Sequence, residues 1–268
     1  MTALPTLALL APVGLEELVA RASLQTRMDR KYVVPLDAAE EVVAGLARTE
    51  EVLALDMGGQ RCFGYESLYF DTPDLASYHL AARGRRRRFK VRRRTYLDSG
   101  ESFVEVKTRG GRGATVKERA PDLGTGPHLL PASGLAFVSD VLREAGIEHV
   151  CGEDLRPTLR TSYRRSTLYL PASDSRVTVD TDVTWSLPGQ PGLTLGGVAI
   201  VETKSAGGAS AADRRLWRHG HRPSRISKYG TGLAALRGDL PSNKWCPVLR
   251  HHFACALPAP ASSDWTLS

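Results

Sequence analysis

The chain has 268 residues, of which 42% are hydrophobic and 24% charged, with 25 Gly and 16 Pro. These are values of a folded globular chain, and they exclude collagen-like and low-complexity classes. Lys and Arg number 36 against 29 Asp and Glu, a net charge of +7, so an anionic partner is expected.

Read in chain order for a period of two residues, candidate strands fall at 27–34, 62–71, 86–96, 102–109, 113–119, 157–170, 175–184 and 197–204. Helical patterns lie at 37–47, with Asp37 as N-cap, at 74–82, with Asp74 as N-cap, and near 134–145, 209–218 and 229–236. Turns at Asp98-Ser99-Gly100 and Arg109-Gly110-Gly111 imply antiparallel hairpins. Three regions are expected: an N-terminal extension over 1–24, one domain over 25–240 and an irregular tail over 241–268 rich in Pro. Cys62, Cys151, Cys246 and Cys255 form no C-x-x-C and no zinc-type array, so a reduced, cytoplasmic setting is expected. No apolar run reaches the roughly 20 residues of a membrane helix, so any channel would come from a membrane-protein partner.

The charge is concentrated. Residues 83–94 hold nine cations and no acid. Side chains two apart share one face of a strand, which gathers Arg86, Arg88, Lys90, Arg92, Arg94 and Tyr96 opposite Phe89 and Val91. Glu105 and Lys107 alternate with Val104 and Val106; Arg176, Thr178 and Asp180 with Val177 and Val179; Arg27, Asp29 and Lys31 share a face, as do Glu202 and Lys204. An α+β fold follows, an eight-stranded antiparallel β-barrel with flanking helices, its charged faces lining a basic tunnel. Arg88 and Lys90 become candidate substrate-binding residues. The carboxylates Glu105, Asp180 and Glu202 have two readings, salt bridging to neighbouring cations or holding a divalent metal against phosphate.

The segments Arg30-Lys31-Tyr32, Tyr65 to Asp71 (YESLYFD), Arg88 to Tyr96 (RFKVRRRTY), Phe103 to Lys107 (FVEVK), Tyr163-Arg164-Arg165, Arg176 to Asp180 (RVTVD), Val201 to Lys204 (VETK) and Ser227-Lys228-Tyr229 occur in this order. Together they resemble the VTC domain, the polyphosphate polymerase domain of the vacuolar transporter chaperones and their bacterial relatives, over about residues 25 to 236. That family belongs to the triphosphate tunnel metalloenzymes. The resemblance implies ATP-dependent polyphosphate synthesis assisted by Mn²⁺ or Mg²⁺, with ATP and inorganic polyphosphate as partners. It implies phosphate contacts from Lys31, Arg92, Arg94, Lys107, Lys117, Arg165, Arg176 and Lys228, with Tyr163 and Arg225 beside them, and Glu202 as metal ligand.

One departure separates this chain from the hydrolase and cyclase branch. That branch starts on Glu-x-Glu-x-Lys, whereas Arg27-Met28-Asp29-Arg30-Lys31 stands here. A metal-dependent triphosphatase and a non-catalytic polyphosphate or inositol phosphate binder remain the alternatives. Nucleic acid is not expected as a partner, because the acids interleaved with the cations would repel a duplex backbone. The Arg83 to Arg88 run is either a solvated tunnel mouth or a polyphosphate exit path. His219/His221 and His251/His252 are expected to be surface residues.

Overall fold

The structure, a computed structural model, describes residues 4–21, 28–109, 115–122, 124, 126, 129–254 and 256–259. Arg27, Gly110, Gly111, Cys255 and Pro260 lie outside the described residues. In chain order the elements are β1 (Ala11–Val13), α1 (Leu15–Arg21), β2 (Met28–Pro35), α2 (Leu36–Thr49), β3 (Leu53–Leu55), β4 (Phe63–Asp71), α3 (Ala76–Ala82), β5 (Arg88–Tyr96), β6 (Ser102–Arg109), β7 (Thr115–Pro121), α4 (Ala132–Glu144), β8 (Arg156–Leu170), β9 (Ser175–Ser186), β10 (Gly192–Leu195), β11 (Val198–Ser205), α5 (Ala211–Arg218), α6 (Lys228–Leu236), α7 (Cys246–Val248) and β12 (Leu257–Ala259). Among the described residues β1 pairs with β3 in parallel, and the pairs β10–β12, β11–β2, β11–β9, β3–β8, β4–β5, β5–β6 and β6–β7 are antiparallel. This is the α+β antiparallel class with flanking helices that the alternation implied. All eight expected strands are present, and the four others are short.

The chain divides into two compact units, the first comprising Met1–Gly64, Tyr163–Val183 and Leu195–Ile226, the second Tyr65–Ser162, Thr184–Thr194 and Ser227–Ser268. In the first, β11 lies between β2 and β9. One face of these strands is apolar: Tyr32, Val34, Val177, Val179, Ala199 and Val201 pack on Val42, Val43 and Leu46 of α2 and on Ala212 and Leu216 of α5. Apolar burial of this kind supplies about 25 cal/mol per Å². Asp213, fully buried, pins α5 to the strands by accepting from Tyr32 Oη and Thr203 Oγ1, both at 2.6 Å, and from Arg30 Nη1 at 3.1 Å. Burial opposes its ionisation, but the Thr203 and Tyr32 hydroxyls and Ser210 hold its carboxyl below the ordinary value.

In the second unit β4, β5, β6 and β7 pair in sequence order. Leu68, Phe70, Phe89, Val91, Val104 and Val106 form the covered face and pack on Val138, Val141 and Leu142 of α4. Arg93 falls on this face by alternation. Its charge is met by Asp122, and its guanidinium donates to the carbonyls of Gly126 (2.6 Å) and Leu129 (2.5 Å).

Two helix starts differ from the sequence reading. α2 begins at Leu36 after Pro35, so Asp37 sits inside the first turn, accepting from Ala38 N. α3 begins at Ala76, not at Asp74. Its first N–H groups are taken by Thr72 Oγ1 (Ala76 N, 2.9 Å) and by buried Asp71 (Ser77 N, 2.8 Å; Tyr78 N, 2.9 Å), which meet donors that lack a helical partner. The segment from Pro241, expected to be irregular, carries α7, a π-helical turn over Leu249–Phe253 and β12. It is anchored because Trp245 is buried against Gly230, where a Cβ would meet the indole at 2.4 Å. Gly232 likewise faces Trp185, whose Nε1 donates to the Lys228 carbonyl at 2.7 Å.

A Cβ on Gly232 would lie 2.1 Å from the Trp185 ring. Gly232→Ala is therefore expected to cost about 1–3 kcal/mol from overpacking, measured as a drop in the urea midpoint with unchanged m-value.

Candidate active site: two charged sheet faces

Opposite its apolar face, the first unit's sheet carries charge. Register places Lys31 beside Glu202, Asp29 beside Lys204, and Lys204 beside Arg176. Glu202 is the hub: its Oε2 accepts from Lys31 Nζ, and its Oε1 lies 3.2 Å from Lys204 Nζ. Burial opposes ionisation of this carboxyl, but Lys31, Lys204 and Arg165 hold it well below the usual carboxylate range. Burial also pushes the Lys204 ammonium down, although Glu202 opposes the shift. Asp180, fully buried, takes a two-point ion pair from Arg165 (Nε to Oδ1 2.6 Å, Nη2 to Oδ2 2.8 Å). The Arg165 guanidinium lies 5.2 Å from the Tyr163 ring centroid, within cation–π range. Arg176 donates to the Leu18 carbonyl at 3.2 Å. Arg225 is exposed, in a segment whose Ser224 N donates to the Lys31 carbonyl at 2.7 Å.

The second unit's face is far more one-sided. Alternation and register put Arg88, Lys90, Arg92 and Arg94 of β5, Lys107 and Arg109 of β6, and Lys117 and Arg119 of β7 on one side, with Glu105 as the acid among them. One row runs Lys90, Lys107, Lys117 across three strands, which sets ammonium against ammonium. Directly opposed strand neighbours have Cβ atoms about 4.5–5.5 Å apart, and like charges there are destabilising. Glu105, 1% exposed, relieves part of this. Its Oε2 accepts from Arg92 Nε at 2.8 Å and Nη2 at 2.5 Å, and its Oε1 from Lys117 Nζ at 2.5 Å. Burial opposes ionisation, yet Arg92, Arg94 and Lys117 hold the carboxyl far below the usual range. Burial, helped by Arg92 and Arg94, depresses the Lys117 ammonium despite Glu105.

Aromatic rings from β4 complete this face. The register sets Tyr69 beside Arg92 and Ser67 beside Arg94. Arg94 lies 5.5 Å from the Tyr65 ring, Arg92 6.0 Å from Tyr69, and Lys90 6.0 Å from both Tyr69 and Tyr229. Lys90 Nζ also donates to Ser227 Oγ at 3.0 Å. Lys228 opens α6, which is locked by the Tyr229 hydroxyl donating to Asp71 and by the indole bond to its own carbonyl. Arg88, at the strand's start, donates to the Arg85 carbonyl at 2.8 Å.

Of the expected residues, Lys31, Tyr163, Arg165, Arg176, Asp180, Glu202 and Arg225 thus belong to the first unit. Arg88, Lys90, Arg92, Arg94, Glu105, Lys107, Lys117 and Lys228 belong to the second. Arg86 does not share the face, because β5 begins at Arg88 and Arg86 lies in a bend. Asp180 and Glu105 each have both oxygens engaged by cations, Asp180 by Arg165 alone and Glu105 by Arg92 and Lys117. Among the described residues no group of three or more His, Cys, Asp or Glu is placed to hold a metal ion. Glu202 also has both oxygens met by cations, but through single contacts from two lysine ammonium groups on flexible stems, which could turn away and leave the carboxylate to a divalent cation. Lys204 stood on the charged face with Glu202 in the sequence without being a candidate site residue, and Arg119 and the rings of Tyr65 and Tyr69 were missed; the Tyr65, Ser67, Tyr69 spacing of two was the available signal.

The VTC domain family matches residues 26–123 and 139–237 of this sequence, and the chain belongs to that family. No curated protein matches the sequence. Among solved structures, an adenylyl cyclase-type protein from Hippeastrum, described as having a dominant triphosphatase activity, is 13% identical with a TM-score of 0.43, over 82% of this chain and 100% of its own. A protein from Bacillus halodurans described as an adenylate cyclase is 13% identical with a TM-score of 0.42, over 89% of this chain and 95% of its own. Another so described, from Vibrio parahaemolyticus, is 14% identical with a TM-score of 0.38, over 73% and 84%.

Because Glu105 titrates below its ordinary 4.5 in the fold, its contribution to stability is complete above that pH and disappears as pH falls through the folded value. Glu105→Gln is expected to lose on the order of 3 kcal/mol at pH 7, since Arg92 and Lys117 are left without their counter-charge. The deficit against wild type should shrink in denaturant melts taken progressively below pH 4.5.

Proposed function

We propose that this chain is an ATP-dependent polyphosphate polymerase. An anionic oxygen at the end of a polyphosphate chain attacks the γ-phosphorus of ATP; a new P–O bond forms, the bond from that phosphorus to the β,γ-bridging oxygen breaks, and ADP leaves with its electron pair. The observation that carries this reading is the second unit's sheet face, where among the described residues of β5, β6 and β7 eight cations share one side with a single acid, Glu105. Such a face asks for several phosphates at once, and guanidinium groups meet phosphate oxygens in two-point contacts.

The chemistry needs little more than position and charge, because phosphoryl transfer spreads negative charge over the transferring oxygens. Lys107, Lys117, Arg92 and Arg94 would bind and orient the phosphate chain. Further phosphate contacts would come from Lys31, Arg165 and Arg176 in the first unit, with Tyr163 and Arg225, and from Lys228 in the second, with Lys90 and Arg88. Glu202 would hold a divalent ion, Mn²⁺ or Mg²⁺, whose positive charge would offset that of the phosphates.

The acceptor in this reading is itself a phosphate. A phosphate terminus is already ionised and needs no general base. Cations that offset the charge on both phosphates would let the terminal oxygen approach the γ-phosphorus.

Purified protein with ATP and Mn²⁺ is expected to make acid-insoluble polymer that exopolyphosphatase degrades. Arg92→Ala and Lys107→Ala are each expected to lower the rate about 100-fold with the fold intact by circular dichroism. Orthophosphate release from ATP or tripolyphosphate without polymer would replace this reading by a triphosphatase. Tight polyphosphate binding without turnover would replace it by a binding module.

A further inference from the structure

The arginine run at 83–88 divides. Arg88 enters β5 and joins the charged face, while Arg85, Arg86 and Arg87 are exposed in the bend before it. These three line a cavity of about 400 Å³ with Leu80 from α3 and with Ile147 and His149 from the segment after α4. Leu80 and Ile147 belong to the apolar cluster beneath the covered face of the sheet, with Phe89, Val91, Val104 and Val106. The cavity therefore opens on the helix side of the second unit's sheet, away from the face that carries Lys90, Arg92, Lys107 and Lys117. It is a place of its own.

Among the described residues, the side chains of Arg85, Arg86 and Arg87 make no hydrogen bond or ion pair. Three guanidinium groups within three residues repel one another, and here no acid compensates them, in contrast to Arg92 beside Glu105. The Arg87 guanidinium lies over Gly146, whose positive φ of 70° turns the chain there and whose missing Cβ would sit 3.8 Å from it. A concave apolar floor rimmed by convergent charged groups is the form of a small-ligand site.

We infer that this cavity is a second anion site, which takes a molecule carrying two or more linked phosphates. Guanidinium groups grip such a group by paired N–H donors, and the single charge of a carboxylate would leave two arginines uncompensated. Two sources share this chemistry. A nucleoside diphosphate would also cover Leu80 and Ile147 with its base or sugar, whereas an inorganic polyphosphate end would use the arginines alone.

The inference does not rest on the polymerase reading, and calorimetry on the full chain tests it separately. Titrations with inorganic tripolyphosphate and with ADP are made on a Lys107→Ala/Lys117→Ala background, which weakens the strand face and leaves the cavity untouched. One equivalent of at least one probe is expected to bind still. Adding Arg85→Ala, Arg86→Ala and Arg87→Ala should weaken that binding at least tenfold, and Arg86→Glu alone, at an exposed position, should do the same if the triple change disturbs the fold. The probe that shows the loss identifies the source. No residual binding of either probe to the folded background protein, or residual binding unchanged by the arginine substitutions, overturns the inference.

Discussion

Repulsion among like charges held on one face of a sheet is the constraint on which the second unit depends. Lys90, Lys107 and Lys117 are neighbours across three strands because the register of β5, β6 and β7 allows nothing else. That register is fixed from the opposite face, where Phe89, Val91, Val104 and Val106 must meet α4. A slip of one residue would expose the apolar set and bury the cations. The hydrophobic effect thus holds together an arrangement that electrostatics opposes. Glu105 lowers the strain locally through Arg92 and Lys117, and bound phosphate would lower the rest.

The first unit balances its charges differently. Lys31, Lys204, Arg165 and Arg176 stand among Asp29, Asp180 and Glu202, close to neutrality. Its carboxylates do not act alike. Asp180 is locked to Arg165 by two short contacts and serves to aim that guanidinium. Glu202 meets compact ammonium groups on flexible stems, and those can turn to phosphate oxygens without leaving the strand. The contrast lies in the geometry of the partner, planar and two-pronged in one case and a single point in the other.

Strand alternation was legible in the sequence because Val and Phe alternate with Arg, Lys and Glu through β5, β6 and β9, so both the covered face and the charged face could be written down. The helices followed from their own periodicity. Helix starts were less legible: Asp74 has the residue type of a cap, but buried Asp71 and Thr72 reach the same N–H groups from the end of β4. The roles of Glu105 and Asp180 were also out of reach. Whether a carboxylate holds a metal or an arginine depends on which rotamers neighbouring strands bring within 3 Å, and spacing along one strand does not contain that. Trp245 shows a third limit, since its burial depends on Gly230, fifteen residues earlier, having no side chain.

We propose that the second unit's crowded cations hold linked phosphates. The most direct measurement is the melting temperature as tripolyphosphate is added, for wild type and for Lys107→Met/Lys117→Met. A ligand that binds only the folded state raises stability with its concentration. The account predicts a progressive rise for wild type and the loss of most of that rise in the double variant. A wild type that tripolyphosphate fails to stabilise, or a variant stabilised as much as wild type, would contradict it.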